Sequence, residues 1–122
     1  MEWKTSFLKE QRIVVFETSG VADGAGSFEM AKSISTTMAL HLATRCLIDH
    51  TGISSISASI SDAYYRPQRV FKFNIPVRIK IAEVVLPDHK QHFDFLETVF
   101  RNRGFDFRVF KEREPAIKWL VT

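Results

Sequence analysis

Four histidines, one cysteine and a short run of acidic, aromatic and basic residues are the parts of this sequence that could do chemistry. His89 and His92 stand three apart beside Asp88, a spacing that puts both imidazoles on one side of a helix, where they could chelate a divalent cation. A closed site needs more donors than this pair supplies, so no metal is expected and the two read as helix surface. Cys46 has His41 and His50 as neighbours on what reads as one helix, but nothing sets either beside the thiol as a base, and nucleophilic catalysis is not expected. As the only cysteine, Cys46 can form neither an intrachain disulfide nor a cysteine cluster, and it reads as a small core residue.

Gly20, Gly24 and Gly26 follow a strand and precede a helix. Their spacing matches neither the dinucleotide fingerprint nor the phosphate-binding loop, whose lysine is missing. They read as a flexible connection, with Ser27 as the helix N-cap and a helix start that could hold a small anion. No cofactor is expected.

The best candidate site is the stretch Asp62–Arg66. Asp62 offers an acceptor, Tyr64 and Tyr65 offer amphipathic faces, and Arg66 offers a planar cation. The stretch falls at the carboxyl end of a strand, where ligands dock in open α/β sheets. The plainer alternative is a polar loop with buried tyrosines. Eight of the eleven phenylalanines fall at or after Phe71, which implies a core of large side chains or, around Tyr64 to Phe73, an apolar cavity or dimer surface.

The elements that must position these residues alternate between strands and helices. Trp3–Leu8 and Ile13–Phe16 read as two strands of a hairpin, and Ser19 to Gly26 as a turn-rich linker. Ala31, Ile34, Met38, Leu42 and Cys46 recur at steps of three and four, which predicts a helix over Ser27–His50 that Gly52 stops. Ile56, Ala58 and Ile60 alternate with serines as a short strand, and Arg66–Asn74 reads as a short helix. Val77 to Leu86 reads as a strand that turns fully apolar, and Asp88–Arg103 as a helix whose broad apolar face carries Phe93, Leu96, Val99 and Phe100. Phe105, Phe107 and Val109 then form a half-polar strand near a sheet edge, and a short helix tolerating Pro115 in its first turn closes the chain. The order β-β-α-β-(α)-β-α-β-α implies an α/β fold: a mixed, mostly parallel sheet of about five strands flanked by helices, as one domain over residues 1–122.

Composition agrees with a folded globule: 122 residues, 45% of them hydrophobic and 25% charged, are enough for one core and too few for two. No signal-like start and no apolar run of membrane-spanning length is evident, so a cytoplasmic protein is expected. The net charge of +3 is uneven, because residues 1–62 carry five basic and seven acidic side chains, and residues 63–122 carry twelve and seven. Such an asymmetry suits an acidic partner; a solvated surface is the plainer reading.

Phe93-Asp94-Phe95-Leu96-Glu97-Thr98-Val99-Phe100-Arg101-Asn102-Arg103-Gly104-Phe105, followed by Arg108-Val109-Phe110 and Ala116-Ile117-Lys118-Trp119-Leu120, resembles the SpoIIAA-like (STAS-like) family of small bacterial proteins. The likeness is specific over about residues 93–120, weaker over Arg78–Val85 and topological before Asp62. It implies a sheet with helices, related to anti-sigma-factor antagonists and to cytoplasmic domains of sulfate transporters. It also implies a non-catalytic regulatory or protein-interaction domain. In the antagonists a Ser or Thr after the third strand is phosphorylated. Here the matching stretch keeps Asp62 but has no hydroxyl directly after it and no glycine, so neither Ser59 nor Ser61 is expected to serve as a phosphorylation switch. The expected partner is another protein or, in the alternative reading, a small apolar or anionic ligand sensed or carried by the domain. A homodimer is compatible with the sequence, and nucleic acid is not expected.

Overall fold

The computed structural model describes residues 1–57 and 78–122. Strand β1 (Glu2–Leu8) turns through Lys9–Arg12 into β2 (Ile13–Ala22), and the two pair antiparallel. Helix α1 (Gly24–His41) crosses over to β3 (Arg45–Ile56), which lies parallel to β2. After the segment 58–77 come β4 (Lys80–Val84), a single 3-10 turn (Pro87–His89), helix α2 (Lys90–Asn102), strand β5 (Asp106–Phe110) and helix α3 (Arg113–Leu120). The sheet order is β1-β2-β3-β4-β5, with every pairing after the first parallel. The mixed, mostly parallel five-stranded sheet expected from the sequence is therefore present.

Period-two alternation divides the core into two layers. One face of the sheet presents Val14, Phe16, Cys46, Ile48, Ile81 and Phe107 to α1 and α2. The other presents Ile13, Val15, Leu47, Ala82 and Val84 to Ala116 and Leu120 of α3. Strands β2, β3 and β4 are buried on both faces, and so they read as continuous apolar runs. At the edge, Asp106 and Arg108 of β5 stand in solvent while Phe107 is buried.

The structure corrects the reading of residues 24–56. The first helix begins three residues before Ser27, with the Asp23 carboxylate accepting from the Gly26 amide as the N-cap, and Ser27 lies inside it. It ends at His41. Cys46 and His50, read as helical, belong to β3, and so does Gly52, read as the helix stop. The step of four from Met38 to Leu42 to Cys46 continued the helical pattern past its true end. Leu42 in fact closes the helix in the left-handed region, and Cys46 opens an alternating strand. Ser19 and Gly20, read as linker, extend β2. Ile56, read as opening a new strand, is the last residue of β3, and Ala58 and Ile60 of that expected strand lie outside the described residues. The expected helix over Arg66–Asn74 lies outside the described residues.

From the Lys90–Asn102 helix onward the pattern reading holds: its buried residues are Phe93, Leu96, Val99 and Phe100, and Pro115 sits in the first turn of α3. Among the described residues no helix is long and apolar enough to cross a membrane.

Candidate functional site

The face of the sheet under α1 and α2 carries a buried polar row where its apolar layers end. Successive rows across β2, β3 and β4 are Val14, Cys46 and Ile81, then Phe16, Ile48 and Glu83. Beyond them Thr18 and His50 face one another. Here the register slips: Glu17 pairs with Asp49 but Ser19 pairs with Gly52, so β3 has two residues opposite Thr18. A bulge of this kind re-aims a side chain. Gly52 permits it, because a Cβ there would lie 2.4 Å from the Thr18 carbonyl oxygen.

Thr18, His50 and Glu83 are each at least 95% buried. The Thr18 hydroxyl lies 2.7 Å from His50 Nδ1 and 3.2 Å from the Asp49 carbonyl oxygen. His50 Nε2 lies 3.3 Å from Glu83 Oε2, and the ring stacks on Phe93 with centroids 4.7 Å apart. A carbonyl oxygen can only accept, so meeting both contacts of the hydroxyl sends its proton to Asp49 and requires His50 Nδ1 to donate to Thr18 Oγ1. The bond between Nε2 and Oε2 then holds one further proton, and the imidazole–carboxyl pair is neutral as a whole. Among the described residues Glu83 Oε1 has no hydrogen-bond partner.

A cavity of about 50 Å³ lies against this row. Its walls are mostly apolar, from Met30 and Ile34 of α1, Ile81 of β4 and Phe93, Leu96 and Phe100 of α2, and its polar members include Ser27, His50, Glu83 and His92.

On the opposite face, the Asp49 side chain faces α3. Its Oδ1 accepts from the Thr51 amide and hydroxyl at 2.9 and 2.6 Å, and its Oδ2 lies 2.8 Å from the Arg113 guanidinium. Partial burial pushes this carboxyl up, but the Thr51 hydrogen bonds and Arg113 outweigh it and hold Asp49 below the usual carboxylate range.

A second feature lies at the other end of the sheet, where the parallel strands begin. Leu40 and Leu42 are 76% and 84% exposed. Leu42 has φ 51°, and the Ala43 and Leu42 amides close the helix on the Met38 and Ala39 carbonyls, at 3.0 and 3.2 Å. Arg12 also has a left-handed backbone, φ 57°, and its guanidinium donates to the carbonyls of His41 and Leu42 at 2.7 and 3.4 Å. Phe7 braces the corner, with the His41 ring stacked on it at 4.1 Å and Arg12 over the same ring at 5.7 Å. Arg45 donates to the Gln11 carbonyl in the same turn, at 2.7 Å.

Asp62, Tyr64, Tyr65 and Arg66, the candidate site read from the sequence, lie outside the described residues, as does Ser61. His89 and His92 are not brought to a third ligand: among the described residues no group of three metal-ligating side chains comes together. His41 braces Phe7 rather than facing Cys46. Cys46 and His50, four apart on β3, project to the same face of the sheet. Burial, with the charge of Glu83 adding to it, pushes the Cys46 thiol far up, so it stays an inert core residue.

No family model matches the chain, and no curated protein does. Solved structures do. The anti-sigma factor antagonist SpoIIAA, in its unphosphorylated form, superposes with a TM-score of 0.57 at 15% identity, over 98% of this chain and 97% of its own. The chain has a SpoIIAA-like fold. An uncharacterized protein of the DUF3478 family with the same fold, from Shewanella loihica PV-4, gives 0.59 at 15% identity, over 98% of this chain and 92% of its own. The resemblance seen in the C-terminal third thus extends, as architecture, along nearly the whole chain.

Proposed function

We propose that this chain is a non-enzymatic regulatory domain, one unit over residues 1–122 in the cytoplasm, that acts by binding another protein through the corner bearing Leu40 and Leu42. The observation that carries the reading is Leu42. Its left-handed backbone costs a non-glycine residue roughly 1–2 kcal/mol, and glycine is the usual occupant of this helix-closing position. A leucine there both strains the backbone and leaves a large apolar side chain in water. Strain kept at the surface, next to a second left-handed residue that holds it in place, belongs to a contact surface rather than to a fold optimised alone. Arg12, bonded to the Leu42 carbonyl, and Arg45, bonded to the neighbouring Gln11 carbonyl, bring positive charge to this corner, which fits a partner offering an apolar socket and acidic neighbours.

The fold supports the same reading, since SpoIIAA is an anti-sigma factor antagonist. The buried row speaks against catalysis. In a nucleophile–base pair the hydroxyl donates to the imidazole, whereas here the imidazole donates to the hydroxyl. Asp62, Tyr64, Tyr65 and Arg66 enter the proposal as a second contact on their chemistry alone, and Ser61 is not taken as a phosphorylation site.

The test is capture with the wild-type chain from its native host, identification of the partner by mass spectrometry, and calorimetry on the purified pair. Leu40→Ser should weaken association about tenfold or more, as loss of a central apolar contact does. Unchanged affinity would remove this corner as the contact. Robust turnover of a substrate, abolished by one side-chain substitution, would replace the reading with an enzymatic one.

A further inference from the structure

The cavity between α1, α2 and the sheet has an occupant chemistry of its own, separate from the protein-binding corner. Two facts define it. Its walls are mostly apolar, and Glu83, one of its lining residues and 97% buried, keeps Oε1 without a partner among the described residues. A buried acceptor left unsatisfied carries a desolvation cost that a suitable donor would remove.

Water suits this lining poorly, because a buried water needs two to four polar partners while the walls are mostly apolar, and Glu83 Oε1 is the one fully buried side-chain atom of the lining without a partner among the described residues. An ammonium is a poor candidate as well. The hydrogen bonds of Thr18 make the His50–Glu83 pair neutral as a whole, so a cation would enter without a net countercharge. A molecule with an apolar body and one neutral donor satisfies both the walls and Oε1.

We infer that this cavity binds a small, uncharged, largely apolar molecule through a single hydroxyl or equivalent donor, accepted by Glu83. The size follows from the volume. At 50 Å³, and with roughly 10–15 Å³ needed per water-sized group, the cavity takes about four heavy atoms before α1 or α2 has to move. A three-carbon alcohol is the model occupant.

The experiment titrates the wild-type chain with 2-propanol and with acetone, which shares its heavy-atom skeleton but has no donor. Methyl resonances of Met30, Ile34, Ile81 and Leu96 report occupancy. The expected result is a saturating shift at these methyls with 2-propanol, at an affinity about tenfold or more above that of acetone, as a hydrogen bond to a buried carboxyl group provides. Equal affinities, shifts that rise without saturating, or shifts confined to other residues would overturn the assignment. Glu83→Met should abolish the preference for the alcohol. Should that variant not fold, Leu96→Phe, which fills the cavity and leaves Glu83 in place, should abolish the saturable shift, and persistence of the shift would equally overturn it. None of these readouts depends on the corner at Leu40 and Leu42.

Discussion

The Thr18 hydroxyl and His50 Nδ1 lie 2.7 Å apart although 32 residues separate them in the chain. Because the Asp49 carbonyl takes the hydroxyl proton, the ring nitrogen facing Thr18 must carry its own. Imidazole 15N spectra near neutral pH should therefore show Nδ1 of His50 protonated. An unprotonated Nδ1 would reverse the hydrogen-bond direction and with it the neutrality of the His50–Glu83 pair.

The bulge that brings these two side chains together depends on Gly52. A methyl group there would collide with the Thr18 carbonyl oxygen, 2.4 Å away, and the backbones of β2 and β3 would have to separate. Gly52→Ala should cost about 1–3 kcal/mol, as overpacking does, and should shift the His50 ring resonances. Denaturant melts measure the first effect and NMR the second. Stability within about 0.5 kcal/mol of wild type would mean that the strands yield without strain.

This part of the chain is also where the sequence was hardest to read. The helix α2 was legible because Phe93, Leu96, Val99 and Phe100 repeat with one period and no rival. The end of α1 was not, since Leu42 and Cys46 extend the same steps of three and four while one stands in solvent and the other opens a strand. That error hid the polar row. Thr18, His50 and Glu83 sit on three strands, and a register slip aligns two of them, so no linear spacing announces the group. One sign was available: Glu83 inside Ile81-Ala82-Glu83-Val84-Val85 is a carboxyl group in an apolar strand, and such a group needs a partner. The Leu42 strain had no sequence signal, because backbone φ is set by the tertiary closure of the helix.

Asp49 ties the bulge to α3 through Thr51 and Arg113, and its carboxyl is held below its ordinary value in the folded state. A group with a depressed folded value stabilises the fold above its unfolded value, near 4, and that contribution is lost as pH falls through the folded one. Urea melts should show wild type losing stability below about pH 4 more steeply than Asp49→Asn. Parallel acid limbs for the two proteins would show that the Thr51 and Arg113 contacts do not hold the carboxylate in solution.

Cys46 should report global opening. With the thiol buried and its acidity suppressed, disulfide-exchange reagents should label it at the unfolding rate rather than on mixing. Immediate labelling of the native protein would mean that the core between α1 and the sheet opens locally.

The protein-binding corner makes its sharpest forecast at Leu42. Glycine relieves the left-handed backbone, so Leu42→Gly should raise the unfolding free energy by about 0.5–1 kcal/mol. It also removes the exposed side chain, so affinity for the captured partner should fall about tenfold or more in the same preparation. Thermal melting and calorimetry on that one variant therefore test the account directly. Greater stability together with weaker binding is the predicted result, and greater stability with undiminished binding would contradict a role for this corner in recognition.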